Sequence, residues 1–340
     1  MSGWATATGT FELGDLTLQS GAVLPGAQLR WKTHGTLSPG RDNVVLYPTS
    51  YGAQHPDLEW LIGPDGVLDP GRWFIVIPDM FGNGLSSSPS NTPDWPALVT
   101  AWDNVHAQRR LLAEMWGIER LHAVYGWSMG AQQAYHWVAL FPDRVARAVI
   151  NCGSARTATH NRVLLKGLMA VLDAAPEHGG GGEPAAALRA FGRIYAGWAL
   201  SQDFYRADLH RTALGAPDLD SFLRTDWEER FARRPAADLY AQLCTWEAGD
   251  ISRDPRYGGD LTRALNAITA RLLLMPGETD LYFRVADNAA ELTHLRDAVL
   301  QPIPSIWGHR AGNPSINPAD AAFLRDTVRA FLATAEAGAP

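Results

Sequence analysis

Lysine is nearly missing from these 340 residues: only Lys32 and Lys166 are present, and acidic residues outnumber basic ones 36 to 29. With a formal net charge of -7 there is no positive field to gather phosphate backbones, which excludes a general nucleic-acid binder. Cysteine is equally scarce. Cys152 and Cys244 are too few for a disulfide framework and too distant in sequence for a metal knuckle, so both are expected as buried thiols. No stretch approaches the roughly 18 consecutive apolar residues of a membrane-spanning helix. Residues 1–8 lack the basic and apolar regions of a secretory signal, so a cytoplasmic location without membrane association is expected. His-x-x-x-His pairs and comparable carboxylate clusters are also lacking, and neither a metal nor a cofactor is anticipated.

Apolar residues are plentiful, at 46%, enough for a large core. Short apolar runs at 43–47, 73–78, 121–125 and 146–151 read as strands alternating with helices around a mostly parallel sheet. One crossover helix is expected over 101–115, where Trp102, Val105, Leu111, Leu112 and Met115 recur near helical spacing before Gly117. Strand character then fades. Residues 162–172, 185–198, 219–233 and 236–248 read as helices, and strands return at 270–275 and 298–303 before a final helix at 318–333. The expected organisation is a core of 1–161 and 265–340 interrupted by a helical lid of 162–264. The tract Gly179-Gly180-Gly181-Gly182 inside the lid reads as a flexible surface loop.

The segment Gly126-Trp127-Ser128-Met129-Gly130 carries the chemistry. G-x-S-x-G is weak by itself, but here an apolar strand leads in and a helix-compatible run leads out, the context of a nucleophile elbow. Glycines flank the serine because the tight turn brings strand and helix too close for side chains. A serine hydroxyl needs a base, and the base an orienting acid. In chain order these are Asp280, after the late strand at 270–275, and His309, on a loop before the last helix. Glu278 is the alternative acid, and His294 and His55 the alternative bases. The amide of Met129 follows from the elbow as one oxyanion donor. Tyr51 supplies the second, with Ser50 as alternative.

These residues, with Asp42-Asn43-Val44-Val45, Trp60-Leu61-Ile62-Gly63-Pro64, Leu68-Asp69-Pro70 and Gly308-His309, make the chain similar to the homoserine O-acetyltransferase family. The resemblance implies an α/β-hydrolase fold with a helical lid, a ping-pong route through an acyl-serine, and a homodimer formed through lid helices. It also exposes departures: Trp127 stands where the transferases have glycine, and Arg310 follows His309 where they have an aspartate associated with the amino group of homoserine. A cation there would repel an ammonium. Hydrolysis of a small carboxylic ester is therefore the first expectation. The second is O-acyl transfer to an alcohol other than homoserine, in which case acyl-CoA is a co-substrate. Substrate contacts are expected from Trp127, Arg310 and one of Arg193 and Tyr195, which lie two apart and so do not share a helix face, with Trp198 and Trp307 as further apolar walls. The loop from Pro78 through Ser90 reads either as a rim of the pocket or as a turn-rich surface connection.

Overall fold

The computed structural model describes residues 3–174 and 185–334, and the four-glycine tract lies outside them. Eight strands form one sheet in the order β1-β2-β4-β3-β5-β6-β7-β8, from β1 (Thr6–Thr17) and β2 (Val23–His34) through β3 (Val44–Leu46), β4 (Phe74–Pro78), β5 (Leu121–Trp127), β6 (Val145–Asn151), β7 (Arg271–Met275) and β8 (Ala298–Leu300). The six from β3 to β8 run parallel, and β2 joins them antiparallel through Trp31–Pro78 to His34–Ile75. Every residue of β3 and β4 is buried, as expected for strands covered on both faces.

The N-terminal hairpin β1–β2 escaped the strand expectations. Its signal is alternation rather than a run: in β2, Ala27, Leu29 and Trp31 are buried while Gln28, Arg30 and Lys32 between and after them are polar and less buried. That half-exposed pattern suits strands at the edge of the sheet, where one face meets water.

Helices α1 (Ala101–Trp116) and α2 (Met129–Leu140) pack beside the parallel strands. Thr100 caps α1 by accepting the Asp103 amide, and Gly117 ends it at φ 62, the left-handed geometry glycine tolerates. Between β6 and β7 come α3 (Thr159–Asp173), α4 (Ala185–Ala199), α5 (Gln202–Arg206), α6 (Leu209–Thr212), α7 (Leu219–Phe222), α8 (Glu229–Ala232), α9 (Ala236–Glu247) and α10 (Leu261–Asn266). The helix expected at 219–233 is interrupted by a π-helical turn, Leu223–Glu228, which shifts the face presented by the residues after it. Finally α11 (Val285–Leu292) links β7 to β8, and α12 (Pro318–Ala333) closes the described chain. A core of Val45, Ile75, Tyr125, Val149 and Leu273 from the sheet continues into Leu165, Phe191, Leu243 and Trp246 of the inserted helices, so the insertion is packed on the sheet.

Candidate active site

Three loops at the carboxyl ends of parallel strands converge. At the end of β5, Ser128 holds φ 58 and ψ -125, a strained conformation for a residue with a side chain. The flanking glycines make it possible. A Cβ on Gly126 would lie 2.2 Å from the Gly130 carbonyl oxygen, and one on Gly130 would lie 2.7 Å from that of Pro48. The amide of Ser128 is anchored to the Asn151 carbonyl at 2.9 Å, and α2 begins at the next residue.

After β7, the chain turns through Gly277 to Asp280. One carboxylate oxygen of Asp280 accepts the amides of Tyr282 (2.7 Å) and Phe283 (3.3 Å). The other lies 2.7 Å from His309 Nδ1, and His309 Nε2 lies 2.9 Å from Ser128 Oγ. With Nδ1 donating to the carboxylate, Nε2 is left to accept the serine hydroxyl proton. Ser128, Asp280 and His309 are all buried, so any charge on them would be little screened. Gly308 (φ 60) lets the histidine loop close on the helical insertion, for a Cβ there would sit 2.8 Å from the Ser201 amide nitrogen. Trp127, Tyr282 and Phe283 surround the imidazole.

Among the described residues, the backbone amides of Met129 and Tyr51 have no hydrogen-bond partner, which leaves both available to an oxyanion. Tyr51 is fixed by its own side chain: its hydroxyl donates to the Leu239 carbonyl at 3.2 Å, and its ring stacks on Tyr195 at 5.8 Å. A cavity of about 320 Å³ opens above Ser128 and His309, lined also by Ser50, Tyr51, Trp127 and Tyr195.

A family description, the alpha/beta hydrolase fold, matches residues 52–306. The chain belongs to the α/β-hydrolase family. An ethyl acetate hydrolase of Pseudomonas veronii is 35% identical over 316 residues, covering 88% of this chain and 89% of that protein. The crystal structure of an acetylester hydrolase from Corynebacterium glutamicum superposes with a TM-score of 0.89 at 33% identity, over 95% of this chain and 96% of that one. A homoserine O-succinyltransferase of Paraburkholderia xenovorans is 29% identical over 342 residues, 87% of this chain and 89% of that protein. This α/β-hydrolase is an enzyme related both to esterases and to homoserine acyltransferases, and the resemblance drawn from its motifs holds.

Other residues singled out in the sequence fall differently. Trp127, Tyr195 and Arg310 line the cavity, but Arg193 does not. It lies two positions from Tyr195 on α4 and therefore on another face, where its Nε donates to Glu228 Oε1 at 2.5 Å and Asp220 lies 3.6 Å from Nη1. Trp307 packs on Phe204, and Trp198 on Tyr282 and His160, and neither lines the cavity. Glu278 is exposed, and His294 is half-buried in the stretch after α11. His55 is occupied elsewhere, with Nδ1 2.7 Å from Asp79 Oδ2. The loop after β4 does not line the cavity and is only partly surface: Leu85 and Ser90 are exposed, but Asp79, Asn83, Ser86, Ser87 and Ser88 are buried and hydrogen-bonded to one another and to the sheet. Cys152 is buried as expected, whereas Cys244 is half-buried. Cys152, Asp280 and His309 bring donor atoms within 4.8 Å of one another. Asp280 and His309 already use theirs on each other, and burial holds Cys152 firmly as the neutral thiol, a poor metal donor set.

The cavity residues Arg230, Arg233 and Arg234 went unnoticed. A cluster of arginines at the end of an amphipathic helix reads as solvated surface, whereas here the three follow the π-helical turn and share the cavity lining with Ser128.

Proposed function

We propose that this enzyme hydrolyses a short-chain carboxylic ester through an acyl-serine intermediate. The observation that carries the reading is the continuous relay from Ser128 Oγ to His309 Nε2, 2.9 Å, and from His309 Nδ1 to Asp280, 2.7 Å. Ser128 Oγ attacks the carbonyl carbon as its proton passes to His309. Asp280 holds the imidazole in position and offsets the charge of the imidazolium. The amides of Met129 and Tyr51 receive the oxyanion, aided by the N-terminus of α2. Collapse returns the proton from His309 to the departing alcohol. Water, deprotonated by His309, then attacks the acyl-serine and releases the carboxylic acid.

Hydrolysis is favoured over transfer on two grounds. The esterase relatives are 33–35% identical, against 29% for the succinyltransferase, and Arg310 is unsuited to an amino-alcohol acceptor. A cavity of about 320 Å³, partly walled by aromatic rings, suits a small ester. Transfer from an acyl-CoA to an alcohol is the second reading, supported by the length of the match to the transferase. We further read 162–264 as a lid, since Tyr195, Trp227 and Phe231 line the cavity from it. A cytoplasmic homodimer is expected on the grounds given from sequence, and sedimentation would test the dimer. The catalytic test is hydrolysis of short aryl and alkyl acetates with and without added alcohols. Release of free acid in all mixtures supports hydrolysis, and quantitative capture of the acyl group by an alcohol supports transfer.

A further inference from the structure

Four arginines line the cavity above Ser128. Arg310 lines it beside His309, and Arg230, Arg233 and Arg234 line it from the inserted helices. Arg233 and Arg234 are compensated by Asp57, at 3.9 and 2.8 Å. Arg310 is not equally served. Its side chain is only 16% exposed, and its Nη1 is enclosed with no hydrogen-bond partner among the described residues. The Asp226 carboxylate stands 3.8 Å from that nitrogen, beyond hydrogen-bond reach, and the guanidinium lies 5.6 Å from the ring of Trp227. Arg230, exposed at the cavity mouth, donates to the Asp226 backbone carbonyl at 3.3 Å. Burial first, and repulsion from Arg230 second, bring Arg310 down to about 10, which still leaves it charged at neutral pH.

An enclosed guanidinium with an unused donor is costly unless an anion completes it, and a planar carboxylate matches its fork. We propose that Arg310, with Arg230 at the mouth, binds a carboxylate carried by the substrate, so that the favoured esters are anionic. The inference rests on the ester-hydrolysis reading and narrows it. The carboxylate can sit at the far end of the acyl chain, as in a dicarboxylic acid monoester, or on the alcohol, as in an O-acylated hydroxy acid.

Two matched pairs separate these sources. On the acyl side, 4-nitrophenyl butyrate is compared with mono-4-nitrophenyl succinate, and on the alcohol side, ethyl acetate with acetoxyacetate. In at least one pair the anionic member should be favoured roughly ten-fold in kcat/KM at low ionic strength, mainly through KM. The preference should shrink with added salt, fall toward parity in Arg310→Gln and Arg230→Gln, and be partly kept in Arg310→Lys. The pair that responds identifies the side bearing the carboxylate. If the neutral esters are turned over while both anionic ones are disfavoured, or the preference ignores salt and all three substitutions, the inference is overturned and ester hydrolysis stands. If no ester is turned over and a fluorophosphonate leaves Ser128 unmodified, both fall together.

Discussion

Trp127 lies against the imidazole of His309, their ring centroids 5.2 Å apart and their planes inclined by 24°. The indole both walls the cavity and packs against the ring proposed to accept the serine proton. Trp127→Ala should therefore lower kcat by about ten-fold with a smaller change in KM, because it acts through the orientation of His309. Steady-state kinetics on a short aryl ester would check the split.

Asp280 and Glu278 stand two residues apart on one loop with opposite fates. Asp280 is buried and bonded to His309, whereas Glu278 is exposed. Asp280→Asn should reduce kcat by about 10³- to 10⁴-fold, since an amide no longer holds the required tautomer. Glu278→Gln should stay within roughly two-fold of the parent. Comparable losses in both would place the orienting acid elsewhere.

The elbow glycines make a stability prediction. Gly126→Ala forces a Cβ to 2.2 Å from backbone and should cost on the order of 4 kcal/mol or prevent soluble folding. Gly167, exposed on α3 with nothing within 4 Å of its Cβ position, is the contrast. Gly167→Ala should stabilise by about 0.5–1 kcal/mol in urea unfolding.

Glu291 gives the fold a pH dependence away from the candidate triad. It is buried between α11, α2 and the segment after β6, accepting from the Tyr135 hydroxyl, the Asn288 side chain and the Ala155 amide. Burial lifts its pKa from 4.5 to about 7 against the lowering effect of those bonds. A carboxyl raised in the folded state binds a proton more tightly there than in the unfolded chain. Its contribution is full below about 4.5 and is lost as pH rises through about 7. Thermal melts should show Tm falling by roughly a few degrees over that window, and Glu291→Gln should flatten the fall.

The elbow, the strands before it and the order of Ser128, Asp280 and His309 were legible in the sequence because each obeys local rules: apolar runs, glycines at a forced turn, loops at strand ends. What lay beyond reach depended on packing. The β1–β2 hairpin alternates at the sheet edge and offers no apolar run. Arg193 and Arg230 look alike in sequence, yet α4 ties the first to Glu228 while the chain after the π-helical turn brings the second to the cavity. The pairing of His55 with Asp79, a second histidine–aspartate couple, is likewise a meeting of two loops that neither segment announces.

Ser128 as the acyl carrier is the central claim, and rapid-quench mass spectrometry of the enzyme mixed with 4-nitrophenyl acetate tests it most directly. The expected result is a burst of nitrophenol matched by an acetyl group on the peptide containing Ser128, with both lost in Ser128→Ala. Continued ester turnover by Ser128→Ala, or turnover in the parent with the acetyl group trapped on another residue, would contradict it.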